Sequence, residues 1–324
     1  MATLKQSLRG VLALAILAAL AVLPILAGSS EAVFLVNFGS RIMIFAIAAI
    51  SLDLLLGFGG MVSFGHAAYL GLGGYAVAAL SFYGIDNGWL QFALALAGSG
   101  VFALIVGSVA VRTSGVYFIM ITLALTQLLF YIGISIDQFG GDDGFSTRRS
   151  SFGGGISMSD PLLLYYVCFT SLAVVLAVAY RLADSRFGLV LRGIKSNDRR
   201  IAALGFSTFR YRLIAFVIAG LICGLAGALY VNLKGYMSPV YMHWFRSGEL
   251  IIMVLLGGTG TVVGALLGAT VFQLMETFLP VAIDAVLPGR GTNWHLLLAP
   301  ILIFIVLFMP GGLISAIPGR ARGP

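Results

Sequence analysis

A succession of long apolar runs constrains this chain more than any other feature. A helix needs about 20 mostly apolar residues to cross the hydrocarbon core of a bilayer. We predict spans near 11–27, 38–56, 63–82, 89–111, 115–136, 161–180, 211–233 and 294–313. One further run, 248–279, is too long for a single crossing, and glycines interrupt it at 257–260. It divides into 248–257, which either crosses or re-enters, and 261–279.

Composition supports an integral membrane protein. Hydrophobic residue types make up 60% of the 324 residues and charged types only 10%, whereas soluble proteins carry about 25% charged residues. Because lipid offers no partners to backbone groups, embedded segments must be helical. The sequence predicts an all-α polytopic membrane protein, a bundle of about ten membrane-embedded helices with broken or re-entrant segments, forming one domain over 1–324. We expect the first run to be an uncleaved helix, because its apolar part is longer than a secretory signal core.

The distribution of charge predicts the orientation. Lys and Arg exceed Asp and Glu by 19 − 12 = 7 residues, and the cytoplasmic loops of membrane proteins retain Lys and Arg. The strongly basic linker 182–210 therefore belongs in the cytoplasm, together with both termini. The glycine-rich, acidic loop 137–160 belongs on the outer side. The basic excess thus reflects topology and gives no reason to expect a nucleic-acid partner.

The sequence lacks the usual catalytic motifs. It contains no HExxH, no GxSxG and no GxxxxGK[ST], so we predict no catalytic residues, no metal site, no cofactor and no ATP hydrolysis by this chain. Cys168 and Cys223 lie in apolar runs without a CxxC pair, as small core residues do. Asp53 and Glu276 lie near predicted helix ends, where charged side chains reach the interface at little cost. They give little support to an ion-coupled carrier.

Small residues recur at helical spacing in two of the runs. Gly220 and Gly224 are four residues apart, and so are Gly260, Gly264 and Gly268. This spacing places small residues on one helix face and lets a neighbouring backbone approach closely. We predict helix packing at these positions.

Residues 57–76 combine a glycine break with a stripe of small and polar residues. Broken helices with polar faces line cavities at membrane depth. With polar residues of the fifth run, the candidates for a translocation path are Ser63, His66, Gly71, Gly74, Thr122, Thr126 and Gln127. The alternative is hydrogen bonding to neighbouring helices, and for the two threonines packing is the favoured interpretation.

The basic linker contains a short predicted helix. The segment SNDRRIAAL offers Ser196 or Asn197 as N-cap, and Gly205 follows as its end. Apolar residues, including Ile201, Leu204 and Phe206, would be exposed on this helix. A basic helix with uncovered apolar residues indicates a docking element for another protein. The alternative is a helix that lies on the lipid headgroups.

Several blocks, in order over residues 51–269, resemble the permease subunits of bacterial ABC importers for branched-chain amino acids, specifically the LivM-type subunit. The blocks are SLDLLLGFGGMVSFGHAAYLGLGGY, RTSGVYFIMITLALTQLL, SRFGLVLRGIKSNDRRIAALGF, AFVIAGLICGLAGALY and MVLLGGTGTVVGALLGA. The ending FMPGGL resembles the family's PxGL, with Gly311 in place of the usual basic residue. The linker helix resembles the family's coupling helix, which implies an ATPase-coupling loop of Arg192, Arg199, Arg200, Ile201, Ala202, Ala203, Leu204 and Gly205.

The resemblance implies one half of a channel in the bacterial inner membrane. A homologous permease would form the other half, two cytoplasmic ATPase subunits would supply energy, and an extracytoplasmic solute-binding protein would deliver the solute. No charged pair aimed at a zwitterion is apparent in the sequence, which fits selectivity in the binding protein. Urea and short-chain amides are alternative substrates, because permeases of the same family import them. A secondary ion-coupled carrier and a purely structural membrane subunit are the rival classes.

Overall fold

The computed structural model describes residues 2–26, 32–154, 156–286, 294–309 and 311–316. Helices dominate these ranges, and each predicted span contains one. The α-helices are α1 (Ala2–Leu26), α2 (Ala32–Asp53), α3 (His66–Phe82), α4 (Gly88–Ala110), α5 (Val116–Ile134), α6 (Pro161–Asp184), α7 (Arg186–Ser196), α8 (Asp198–Ala203), α9 (Thr208–Lys234), α10 (Trp244–Gly257), α11 (Val262–Val286) and α12 (His295–Phe308). The prediction of a helical membrane protein is therefore confirmed.

Among the described residues, six helices are long and apolar enough to cross a bilayer: those containing α2, α4, α5, α6, α9 and α11. By contrast, α3 has 17 residues and α10 and α12 have 14 each. At 1.5 Å per residue, 14 residues extend only about 21 Å. The count of about ten embedded helices is not confirmed.

The loop 137–160 also departs from a purely helical description. Its short strands are β1 (Phe145–Ser146), β2 (Ser151–Gly153) and β3 (Ile156–Ser157), and β4 (Tyr236–Met237) follows α9. Strand β1 pairs antiparallel with β4, and β2 pairs antiparallel with β3. The backbone N–H of Ser150 donates to Oδ1 of Asn232 at 2.8 Å, which ties the loop to the end of α9.

The core of the bundle is α2. Its segment from Met43 to Ile50 is almost completely buried, and it packs against α6, α9, α10 and α11. The helix continues into one π-helical turn, Leu54–Phe58, and then breaks before α3. A single wide turn at the end of an apolar helix is frequently found at functional positions.

Glycines allow α9 to approach two neighbouring helices closely. A Cβ at Gly220 would lie 2.5 Å from the Ala103 side chain of α4, and one at Gly224 would collide with Ser99 of the same helix. On the other side, a Cβ at Gly227 would overlap the Leu70 carbonyl of α3. These contacts have the close-packed geometry expected of small residues in membrane helices.

A second close contact joins α10 and α11. Gly264 and Gly268 lie against Gly257, and no Cβ fits at any of the three positions without moving backbone atoms. Gly260 differs from the prediction that placed it on the same helix face. It precedes α11 in a turn with a φ of +75°, a conformation that ends a right-handed helix and that glycine adopts without strain.

Candidate functional site

The basic linker forms two helices, α7 and α8. The side chain of Asn197 accepts a hydrogen bond from the Arg200 backbone N–H at 2.9 Å, so Asn197, not Ser196, caps α8. Gly205 ends it with a φ of +90° and donates its N–H to the Ala202 carbonyl at 3.0 Å. The predicted short helix and its glycine end are confirmed. Sequence analysis missed α7, although its basic amphipathic pattern is visible in SRFGLVLRGIKS.

Apolar side chains project from the end of this linker. Leu204 is 68% exposed and Phe206 is 41% exposed, as predicted. Ile201 is only partly exposed, because its side chain packs into the space beside Gly193 of α7, so the prediction of a free Ile201 is wrong. The other exposed positions of the predicted coupling loop are Arg199, Arg200, Ala202, Ala203 and Gly205.

Arg192 anchors the linker to the bundle. Its guanidinium donates to the carbonyl of Ala183, at the end of α6, at 2.7 Å. The same group lies 5.8 Å from the ring centroid of Phe58 in the π-helical turn, a favourable cation–π distance. Arg192 therefore contacts the bundle itself, in contrast to the exposed arginines of α8.

A second anchor joins α7 to two other elements. Lys195 Nζ donates to the Gly57 carbonyl at 2.8 Å, and Oδ1 of Asp53 accepts from the Gly260 N–H at 2.7 Å. Gly57 and Gly260 are packed so closely that a Cβ on Gly57 would overlap the Gly260 backbone. We call Asp53, Gly57, Lys195 and Gly260 the linker junction. It brings together α7, the broken end of α2 and the turn before α11.

Asp53 behaves differently from the sequence-based expectation. It is indeed the last residue of α2, but it is 1% exposed and does not extend to an interface. Its carboxylate is used instead to hold the Gly260 turn. A buried carboxylate with a backbone partner keeps its position, since moving it would leave both groups unsatisfied.

Polar side chains of α5 and α10 hold the broken segment 59–65. The Thr122 hydroxyl accepts from the Phe64 N–H at 3.2 Å, and the Thr126 hydroxyl lies 3.2 Å from the Phe64 carbonyl. The Ser247 hydroxyl donates to the same carbonyl at 2.7 Å and accepts from the Ala67 N–H at 2.9 Å. These bonds satisfy backbone groups that the helix break leaves free.

The remaining polar path candidates also have contacts within the subunit. Ser63 accepts a hydrogen bond from the backbone N–H two residues later, and the buried His66 ring packs edge-on against Tyr69. The side-chain oxygen of Gln127 accepts from the Trp244 N–H at 3.4 Å. The Gln127 contact therefore joins α5 to α10, whereas the Ser63 and His66 contacts lie within the broken segment and within α3.

The two glycine candidates on α3 are covered by methionines. A Cβ at Gly71 would collide with Met242, and one at Gly74 would lie 2.9 Å from the Met237 sulfur and 2.7 Å from the Val231 side chain. Methionine is flexible and adapts to changes of packing. A path along this stripe requires these side chains to move.

A charged cluster that the sequence did not predict lies between α2, α10 and α11. Arg41 forms an ion pair with Glu276 at 2.8 Å and donates to the side-chain oxygen of Gln273. Arg246 and Glu249 form a second pair at 2.7 Å. Glu276 is well inside α11, because this helix continues seven residues beyond its predicted end at 279 (286 − 279 = 7). Glu276 therefore does not lie near a helix end, in contrast to the prediction.

A cavity of about 230 Å³ adjoins Arg41. It lies between the first half of α2, the end of α9 and the middle of α11, and its lining combines charged, polar and aromatic groups. The lining residues are Phe34, Asn37, Phe38, Arg41, Leu233, Lys234 and Thr277. Its volume is many times the 10–15 Å³ or so that one water molecule requires.

Both cysteines lie in the apolar interior of the bundle. Cys168 and Cys223 are free and buried, as the sequence suggested. Among the described residues no group of three or more His, Cys, Asp or Glu side chains is arranged to hold a metal ion.

Residues 34–307 match a family described as the permease component of branched-chain amino acid transport systems. The high-affinity branched-chain amino acid transport system permease protein LivM of Salmonella typhimurium is 23% identical over 305 residues, which cover 86% of this chain and 69% of LivM. The high-affinity branched-chain amino acid transport system permease protein LivH of Escherichia coli is 24% identical over 292 residues, which cover 84% of this chain and 91% of LivH. The autoinducer 2 import system permease protein LsrC of Yersinia pestis is 27% identical over 247 residues, which cover 72% of this chain and 67% of LsrC.

Proposed function

Because this chain belongs to the permease family of branched-chain amino acid transport systems, we propose that it forms half of the membrane path of a bacterial ABC importer. A homologous permease supplies the other half, two cytoplasmic ATPase subunits bind from the inside, and an extracytoplasmic binding protein delivers the solute. We propose branched-chain amino acids as the solutes, since LivM and LivH carry that substrate class in their names. LsrC, named for autoinducer 2, indicates that relatives serve other solutes.

The observation that best supports this function is the linker. Leu204 and Phe206 are exposed apolar side chains on a basic segment, a combination suited to docking on another protein. The same segment is tied to the bundle through Arg192 and Lys195. We therefore propose that the ATPase binds the exposed end of the linker and that its movements reach the bundle through these two anchors.

The linker junction offers a route from the linker to the interior. A displacement of Lys195 acts on Gly57 at the broken end of α2, and Asp53 passes the displacement to the Gly260 turn. Because α10 and α11 meet at that turn, their relative tilt can follow the linker. Side chains of Thr122, Thr126 and Ser247 contact the broken segment at Phe64, so this segment can move together with α5 and α10.

The orientation belongs to this proposal. We place the linker 182–210 and both termini in the cytoplasm and loop 137–160 outside, on the charge bias given above. The path along Ser63, His66, Gly71, Gly74 and the polar face of α5 is part of the same proposal. It would open when the Met237 and Met242 side chains leave the glycines of α3.

Reconstitution of the whole importer tests the function. The chain, its partner permease and the ATPases are placed in vesicles, the loaded binding protein is added outside, and uptake of labelled leucine is measured with and without internal ATP. We expect uptake that needs both ATP and the binding protein. Uptake driven by a sodium or proton gradient alone would instead identify a secondary carrier, and uptake of urea but not leucine would refute the proposed substrate.

A further inference from the structure

We propose that the cavity beside Arg41 is a transient binding site for the zwitterionic group of an amino acid as it crosses the membrane. This inference rests on the proposed function and assigns a site to its substrate. The site is formed by the Arg41 guanidinium, the Lys234 ammonium, the Thr277 hydroxyl and the Glu276 carboxylate. It differs from the stripe on α3, because the cavity is lined by residues of α2, α9 and α11.

The charges at this cavity match both ends of a zwitterion. Arg41 and Lys234 line it and can donate to a carboxylate, while Glu276, 2.8 Å from Arg41, can accept from an ammonium group. Charged side chains within membrane helices are costly and usually serve a function. A zwitterion uses charges of both signs, whereas a purely anionic ligand, such as a phospholipid headgroup, would leave Glu276 without a ligand partner.

The depth of the cluster fits a path through the membrane. Arg41 is nine residues from the start of α2 (41 − 32 = 9), and Glu276 is ten residues from the end of α11 (286 − 276 = 10). At 1.5 Å per residue both lie about 14–15 Å from the corresponding helix ends. Lys234, by contrast, is the last residue of α9, so the site extends from a helix end towards the interior of the bundle.

Two polar groups here lack partners in the described part of the chain. The Thr277 hydroxyl, which lines the cavity, and the amide nitrogen of the fully buried Gln273 make no hydrogen bond there. Buried polar groups in proteins are nearly always paired. Together with the apolar lining from Phe34, Phe38 and Leu233, the unpaired Thr277 hydroxyl favours a polar ligand that carries an apolar side chain.

Protection of a single cysteine measures occupancy directly. Asn37 lines the cavity and is exposed, whereas the native Cys168 and Cys223 are buried. In the assembled importer carrying Asn37→Cys, we expect millimolar leucine to slow maleimide labelling at least threefold. Leucinamide, which lacks the carboxylate, should give no protection. Labelling of a Ser135→Cys control, exposed at the end of α5, should not respond to leucine.

Variants of Lys234 and Thr277, with Thr270 as a control, test the assigned groups. In the Asn37→Cys background, Lys234→Met and Thr277→Val should abolish or weaken the protection. Thr270→Val, two turns earlier on α11, should leave it unchanged, because the Thr270 hydroxyl already donates to the Leu266 carbonyl at 2.8 Å. Thr277→Val removes only a hydroxyl that has no partner, so it is not expected to disturb folding.

The outcomes separate this site from the proposed function. Leucine protection that depends on Lys234 and Thr277 supports the site. Equal protection by leucine and leucinamide overturns the site, and so does protection that survives Lys234→Met. Protection by phosphatidylglycerol in place of leucine also overturns it. If the same preparation imports leucine with ATP but leucine never protects position 37, the site is wrong while the proposed function stands.

Discussion

Substitution of Gly205 by valine isolates the contribution of the linker end. The backbone of Gly205 has a φ of +90°, and a Cβ there would meet nothing within 4 Å. The cost is therefore conformational and not steric. A non-glycine residue in such a region costs about 1–3 kcal/mol, which shifts the equilibrium between the formed and unravelled linker end by a factor of about 5–150.

The expected consequence is a loss of coupling without a loss of assembly. Unravelling removes the hydrogen bond from the Gly205 N–H to the Ala202 carbonyl, so Leu204 and Phe206 lose their fixed positions on the docking surface. The bundle should insert normally, since Gly205 lies outside the six long apolar helices. We expect binding-protein-stimulated ATPase activity in vesicles to fall at least fivefold with Gly205→Val.

Gly84→Val is the matched control. Gly84 has a φ of +77°, and a Cβ there would also meet nothing within 4 Å, so the substitution has the same kind of backbone cost in the connection between α3 and α4. We expect this variant to keep its stimulated ATPase activity. Full stimulation with Gly205→Val, or an equal loss in both variants, would refute the assignment of coupling to the linker end.

Three further predictions concern the anchor, the orientation and the packing. Lys195→Met removes the hydrogen bond to the π-helical turn and should lower stimulated ATPase activity while the subunits still co-purify. Loss of co-purification would show that Lys195 is needed for folding instead. Single cysteines are introduced at Asp142 and at Ser196, which are both exposed. In intact cells an impermeant thiol reagent should label position 142 and not position 196, and the opposite pattern would invert the topology. Gly227→Leu, which has no room for a Cβ between α9 and α3, should lower the Tm of the purified complex by several degrees, whereas Gly98→Leu, in open space on α4, should not.

The sequence by itself determined the long apolar helices and the glycine break that follows α2. Hydrocarbon thickness sets the length of an apolar run, and lipid forces such a run to be helical. The approximate bounds of α4 and α5 therefore follow from the positions of their apolar runs. Local chemistry also sufficed for α8, because an Asn cap and a glycine end act within a few residues of the chain. The glycine faces of α9 and α11 could be predicted from the four-residue spacing of their glycines, except at Gly260, which precedes α11.

Only the tertiary structure decided which polar residues meet. Arg41 and Glu276 are 235 residues apart (276 − 41 = 235), and the hydrogen bonds of the linker junction connect residues 138 and 207 positions apart. No periodicity within one helix encodes such pairs, because they depend on how the helices are ordered and tilted against one another. A charged residue within an apolar helix indicates function, but its partner is chosen by the packing of α2 against α11 and of α7 against the broken end of α2.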